Sequence, residues 1–317
     1  MSDVIKKATR DGYGEALVEL GNEIENLYVL DADLAAATKT GMFKKAHPKK
    51  FLDCGIAEQN MMGIAAGLSI EGNVVFASSF AMFAAGRAFE QVRNSIAYPD
   101  ANVKIGATHA GISVGEDGAT HQCCEDIALM RAIPNMVIIN PADAVEAKLA
   151  TKAAAAYKGP VYLRFGRLAV PVIFDENHRF EIGKGDILSE GSDVTIIATG
   201  LMVAEAVKAN ELLKAKGISA RIVNIATIKP IDKQLILESA AKTGVIVTVE
   251  EHSIIGGLGS AVCEVICESA APVPVLRIGV NDRFGFSGPA LDLLDEFKLN
   301  AENIVNTAER AIGLKAR

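Results

Sequence analysis

One carboxylate, Glu58, lies in the run C-G-I-A-E-Q-N, and M-M-G-I-A-A-G-L follows with no further charge until Glu71. A carboxylate in that setting has two readings. It can be a first-turn helix residue that meets the positive end of the helix dipole. It can instead be a partly buried acid shown to a ligand, its pKa raised by burial and matched to a donor nitrogen. Phe80 and Phe83 follow, three apart, and could share a helix face as ordinary core. The loop T-H-A-G-I-S-V-G-E-D-G-A-T-H-Q then sets His109, Asp117 and His121 among Gly111, Gly115 and Gly118. Two of the chain's five histidines fall in this one glycine-rich loop. His109 ends a predicted strand, and the ends of parallel strands are where α/β sheets bind ligands.

The elements that must position these residues read as α/β. Candidate strands cover 27–33, 73–79, 103–109, 136–142 and 160–166, with helical stretches at 57–69, 81–97 and 142–157. Continuous Val/Ile runs bounded by turns suit strands covered on both faces, as in a parallel sheet. Asp143 is placed to cap the last helix, with Glu146 three residues on. Residues 168–192 mix Pro, Gly and charge and read as an exposed crossing between domains. Strands at 193–199, 218–225, 245–250 and 274–280 then alternate with helices near 201–216, 231–243, 258–270 and 288–297, and a helix from 301 closes the chain. The expected fold is two consecutive open, mainly parallel sheet domains flanked by helices. G-G-L-G at 256–259 lacks the third glycine and the setting of a dinucleotide fingerprint, so it reads as a tight strand-to-helix turn.

Composition narrows the class. The 317 residues are half hydrophobic, 22% charged, with net charge -7, pI near 5.4 and mean hydropathy +0.25. That balance argues against broad nucleic-acid binding, which wants a basic face, while leaving room for a local basic pocket. No run approaches the about 20 apolar residues of a membrane span, and the start lacks the apolar centre of a signal peptide. The surplus apolarity belongs to core, buried sheet or a large subunit interface. Cys54, Cys123, Cys124, Cys263 and Cys267 show no framework or metal-ligand spacing. They read as free thiols in a reducing, cytoplasmic setting.

Several blocks in the same order resemble the transketolase family along nearly the whole chain. They are D-C-G-I-A-E-Q-N-M-M-G-I-A-A-G, S-S-F-A-M-F-A-A-G-R-A-F-E-Q-V-R (78–93), the histidine loop (108–122), E-D-I-A-L-M-R-A-I-P-N-M (125–136), T-I-K-P-I-D (227–232) and V-T-V-E-E-H-S-I-I-G-G-L-G-S-A-V (247–262). The resemblance implies a pyrimidine-binding domain at 1–172, a linker at 173–190 and a transketolase C-terminal domain at 191–317. It implies thiamine diphosphate as cofactor and transfer of a two-carbon ketol unit between phosphorylated sugars. Glu58 lands on the glutamate that hydrogen-bonds N1′ of the aminopyrimidine. An apolar setting keeps the shared proton between acid and ring. Phe80 and Phe83 map to the aromatics that stack on and flank that ring, and Asp33 lies toward the thiazolium. His109, Arg10 and Arg167 map to the sugar phosphate, where the arginine fork holds two oxygens. Asp117 maps to a substrate hydroxyl, and His121 to the reacting end, where it assists proton transfer. The chain departs from relatives at Ala77, where some carry an aromatic, and at Ala37, where many carry serine; Thr38 is the adjacent candidate to replace that hydroxyl.

The Mg²⁺ motif G-D-G followed downstream by Asn is absent, and G-E-D-G at 115–118 already belongs to the histidine loop. The expectation is therefore a β-type subunit of a split transketolase. A separate N-terminal chain would hold diphosphate and Mg²⁺, in an α₂β₂ assembly, with isolated chains forming a homodimer. The competing readings are a 1-deoxyxylulose-5-phosphate synthase-like or 2-oxo acid dehydrogenase β-like thiamine enzyme subunit, or a non-catalytic assembly subunit. The histidine loop favours transketolase over the dehydrogenase subunits. The C-terminal domain is expected to support assembly rather than touch the cofactor.

Overall fold

The computed structural model describes residues 5–315. Its strands in chain order are β1 (Lys6–Ala8), β2 (Leu27–Asp31), β3 (Phe51–Asp53), β4 (Val74–Phe80), β5 (Val103–Thr108), β6 (Val137–Ile139) and β7 (Val161–Arg164). There follow β8 (Ala169–Pro171), β9 (Asp186–Ser189), β10 (Val194–Ala198), β11 (Ala220–Asn224), β12 (Thr227–Lys229), β13 (Ile246–Ser253) and β14 (Val275–Val280). One sheet has the order β12-β6-β7-β5-β4-β2-β3, and a second has the order β14-β13-β10-β11-β9. Every pairing within them is parallel except those of β12 and β9, the strand added antiparallel at one edge of each sheet.

The Val/Ile runs explain the layering. Val75 and Ala77 of β4 enter one core while Phe76 enters the other. On β10, Val194, Ile196 and Ala198 face one helical layer and Ile197 the opposite one. Alternate residues of a strand point to opposite faces, so an unbroken apolar run is what a doubly covered strand requires. Asp143 caps the helix Ala144–Ala156 as expected, its Oδ1 accepting from the N–H groups of Val145 and Glu146, both at 2.9 Å.

Three expectations need correction. The stretch 168–192 holds β8, paired antiparallel with β1, and β9, an edge strand of the second sheet. The stretch 81–97 is not a regular α-helix. Wide turns at Met82–Arg87 and Val92–Ala97, with i→i+5 bonds such as Ala88 N–H to Phe83 O (3.2 Å) and Tyr98 N–H to Arg93 O (2.9 Å), flank one α turn. Finally, Phe80 is the last residue of β4 and not on a helix, so it does not share a helix face with Phe83.

Two features tie the halves together. β12, from the second half of the sequence, pairs with β6 of the first sheet. The end of β13 runs into the first half, where Ser253 N–H donates to Cys124 O (2.7 Å). In the order β7-β5-β4-β2, the carboxyl ends of four neighbouring strands then lead to Arg167, His109, Phe80 and Asp31–Asp33 along one sheet edge.

Candidate active site

Glu58 opens the helix Glu58–Ile70 with its side chain 1% exposed. Its Oε1 accepts from the Ser79 hydroxyl at 3.2 Å, and its Oε2 accepts from Arg87 Nη1 at 2.9 Å. Arg87 is half exposed, and its guanidinium also lies 4.6 Å from the centroid of the Phe83 ring. The wide turn is what lets one arginine reach both groups, and such bulges are frequent at functional sites. Phe80 and Phe83 come together despite lying on different elements, with centroids 5.9 Å apart and planes at 15°. His109 covers Phe80 at 3.8 Å, and His121 meets Phe83 edge-on at 5.3 Å. A planar, cationic N–H donor thus rests on an aromatic ring while bonded to a buried carboxylate. A protonated or imino-form aminopyrimidine presents the same flat N–H to a carboxylate, so Glu58, Phe83 and the slot now filled by Arg87 fit the cofactor of the resembled family.

Beside this slot the cations converge. Arg10 Nη1 donates to Ala37 O (2.9 Å) and reaches His109 Nε2 (3.1 Å), while its Nε is buried without a partner. Since Arg10 can only donate, Nε2 of His109 is the acceptor, and the ring proton sits on Nδ1, donated to Thr108 Oγ1 at 2.9 Å. Burial first, then Arg10, Arg167, His121 and Lys39, push His109 down to about 3, so the ring is neutral near pH 7. Arg10 and Arg167 line a cavity of about 250 Å³ with Ser113, Glu116, Leu168, Ala169 and Ala290. Arg167 donates to Val114 O and to Glu116 Oε2 (3.1 Å), and Glu116 is an exposed carboxylate on the outer side. Paired guanidiniums beside a buried imidazole, with Glu116 and Asp11 as the acids nearest them, form a receptor for an anion.

Other expected residues are placed elsewhere. Asp33 is exposed at a positive φ of 62°, and its backbone N–H donates to Asp53 Oδ1, with no side-chain hydrogen bond or ion pair among the described residues. Asp117 is exposed on the turn after Gly115 and makes no side-chain hydrogen bond or ion pair among the described residues. Thr38 does not replace the missing serine hydroxyl at position 37. It is fully buried, and its Oγ1 donates inward to Asp31 Oδ2 at 2.7 Å. Ser113 also lines the anion cavity, but its Oγ is buried on the side of the Glu251 carboxylate. Sequence reasoning missed Ser113 and Arg87. It also missed Asp31, which gathers Leu34 N–H, Thr38 and Thr40 and is pushed up to about 6 by burial. Arg87 stood inside a quoted motif, but the wide turn that brings it onto Glu58 has no local sequence signal.

The second half of the chain props the histidine loop. Glu251 on β13 accepts from Ser113 N–H (2.6 Å) and is pushed up to about 7, chiefly by burial. Gly111, at φ 80°, passes so close that a Cβ would lie 2.2 Å from the Glu251 carboxyl carbon, so any side chain there would be strained and would displace Glu251. Gln122 Nε2 donates to Ile112 O, Gly115 O and Phe286 O, and Ala290 walls the anion cavity. The G-G-L-G turn is occupied by the chain itself, since Glu250 accepts from Leu258 N–H (2.7 Å) and Gly259 N–H (2.8 Å) at the helix start. Among the described residues, no helix is long and apolar enough to cross a membrane.

The chain is similar to known proteins over both halves. Residues 5–172 match the transketolase pyrimidine-binding domain, and residues 183–304 match the transketolase C-terminal domain. The putative transketolase C-terminal section of Methanocaldococcus jannaschii is 57% identical over 302 residues, 95% of each chain. A 6-deoxy-6-sulfo-D-fructose transketolase subunit of a Clostridium species is 44% identical, covering 94% of this chain and 92% of its own. The solved structure of a split-gene transketolase, an inactive beta4 tetramer, superposes with a TM-score of 0.89 at 53% identity, over 98% of this chain and 99% of that one. With both domains matched in order along the chain, this protein belongs to the thiamine diphosphate-dependent transketolase family.

Proposed function

We propose that this chain is the pyrimidine-facing subunit of a two-chain transketolase that moves a two-carbon ketol unit from an anionic ketose to an anionic aldose. The observation that carries the reading is the Glu58–Arg87–Phe83 slot, a buried carboxylate and an aromatic face already holding a flat N–H donor. Thiamine diphosphate supplies a carbon nucleophile once its C2 proton is removed. Glu58 holds a proton at the ring nitrogen in the position Arg87 now fills, and its 1% exposure keeps water from taking that proton. Phe83 orients the ring plane. Arg10 and Arg167 grip the anionic end of the sugar, so that its reacting carbon lies toward His121. His109, neutral and stacked on Phe80, links the anion cavity to the aromatic slot. The sulfonated sugar named for one relative is consistent with a receptor that reads charge rather than phosphorus alone.

The chain has no G-D-G sequence. We infer from the split-gene relatives that a separate diphosphate-binding chain holds Mg²⁺ and diphosphate, in an α₂β₂ assembly, and that the chain alone self-associates without turnover. The inactive beta4 tetramer of the split-gene relative supports that division of labour. Residues 1–172 are assigned to the pyrimidine-binding domain, 173–190 to the connection and 191–317 to the C-terminal domain. Asp33 and Asp117 keep their proposed roles toward the thiazolium and a sugar hydroxyl, which require the companion chain or substrate to turn toward them.

The test is ketol transfer from a ketose phosphate after co-purification with the diphosphate-binding chain. Glu58→Gln should lower kcat by roughly 10²- to 10⁴-fold, the range of a lost acid–base contribution. Undiminished transfer by the variant, or turnover with pyruvate alone, would overturn the assignment.

A further inference from the structure

A second chemical cluster lies away from the slot, where the connecting segment passes between the domains. Glu146 comes from the helix Ala144–Ala156, His178 from the connection and Asp186 from the start of β9. One ligand atom from each lies within 4.8 Å of the other two. Glu146 is fully buried, and the His178 side chain is 9% exposed. His178 Nε2 is buried with no hydrogen-bond partner, and it points into the cluster at 3.8 Å from Glu146 Oε1. A buried polar atom without a partner is costly, so an orphaned imidazole nitrogen aimed at two carboxylates calls for a ligand.

The spacing suits a metal better than a direct bond. At 3.8 Å the nitrogen and oxygen are too far apart for hydrogen bonding. Ligands held about 2.0–2.1 Å from a tetrahedral ion lie roughly 3.3 Å from one another, so the His178–Glu146 pair would close by about 0.5 Å and the widest pair by up to about 1.5 Å on binding. The surroundings already fix the donors. Asn224 Nδ2 donates to Glu146 Oε1 (2.7 Å) and Asp186 Oδ2 (3.3 Å), and Ala142 N–H donates to Glu146 Oε2 (2.6 Å). The His178 ring is stacked on Phe174 at 3.7 Å, and Asp143 Oδ2 accepts from the N–H groups of Ile173 and Phe174, which anchors the connection. Such outer partners orient metal ligands.

We propose that Glu146, His178 and Asp186 bind one divalent metal ion of borderline softness, Zn²⁺ in the first instance, which clips the connection to both domains. One imidazole and two carboxylates satisfy Zn²⁺ with a fourth position left to water. The site is separate from the Mg²⁺ held by the companion chain.

The experiment is titration of chelator-treated, full-length protein with Zn²⁺ by calorimetry, together with metal analysis and thermal unfolding. One equivalent should bind, and the melting temperature should rise on addition. His178→Ala should weaken binding at least tenfold and abolish the thermal shift. Asp186→Asn, an isosteric change on an edge strand, carries the same expectation should His178→Ala fail to fold. Absence of stoichiometric binding would overturn the proposal, as would equal binding by wild type and Asp186→Asn, which would show that Asp186 is not a ligand. A melting temperature that falls as pH rises through the histidine range, with no response to Zn²⁺, would also overturn it and leave a proton as the clip.

Discussion

Glu58 and Arg87 show how one residue can stabilise a site and block it. The buried carboxylate has two partners, and the stronger is a half-exposed guanidinium that can leave for water. While Arg87 is in place, the Glu58 carboxylate is occupied and the face of Phe83 beneath the guanidinium is covered. Removing the cation should therefore do two opposite things. The free protein should lose about 1–2 kcal/mol, because a buried carboxylate keeps only the Ser79 hydroxyl. The assembled enzyme should bind thiamine diphosphate about three- to tenfold more tightly, because the competing contact no longer has to be broken. Arg87→Ala with chemical denaturation and cofactor titration by fluorescence quenching measures both. Weaker cofactor binding would show that Arg87 belongs to the bound state and not to the empty one. The same residue marks a limit of sequence reading. Glu58 was legible because a lone acid among apolar neighbours is unusual in one dimension. Arg87 was not, because its meaning depends on a wide turn that nothing in the hydrophobic pattern announces.

At the scale of elements, the regular strands and helices were legible because Val/Ile runs and capped amphipathic stretches are local signals. Three features were not. β12 pairs with β6 across about ninety positions of sequence, and β9 pairs with β11 on the far side of β10. β13 ends in Glu250, Glu251 and His252, three buried titratable groups that a strand pattern cannot assign to an interface. Glu251 is the one that reaches the candidate site, through Ser113 N–H. Burial raises its folded pKa from 4.5 to about 7. Between those values the folded state binds more protons than the unfolded chain, so this group's stabilisation is complete below about pH 4.5 and is lost as pH rises toward 7. The slope from one such group is at most about 1.4 kcal/mol per pH unit. Glu251→Gln keeps an acceptor for Ser113 N–H and removes the titration. Its stability relative to wild type should therefore increase from pH 4.5 to pH 7, as read by urea unfolding at several pH values. Parallel profiles for the two proteins would mean that Glu251 does not titrate in this window.

At the scale of the molecule, the question is what covers the face beside Glu58. The helix Glu58–Ile70 turns Gln59, Asn60, Gly63 and Gly67 outward, and a Cβ built on either glycine meets nothing within 4 Å. Ile56 before this helix and Ile70 at its end are 78% and 77% exposed, a large apolar investment at the two ends of a helix that carries the candidate acid. Gly63 and Gly67 are four apart and so lie on one helix face, where the absence of side chains lets another backbone approach closely. The proposed companion chain must reach this face if it is to present a cofactor to Glu58. A side chain added there should then be harmless to the fold and harmful to assembly. Gly67→Arg should leave the melting temperature of the isolated subunit unchanged or slightly raised, since a glycine in a helix interior costs about 1 kcal/mol relative to alanine. The same variant should fail to co-purify with the diphosphate-binding chain and should show a smaller mass by light scattering wherever wild type self-associates. Normal assembly by a normally folded Gly67→Arg protein would move the subunit contact to another surface. It would also separate Glu58 from the interface on which its proposed chemistry depends.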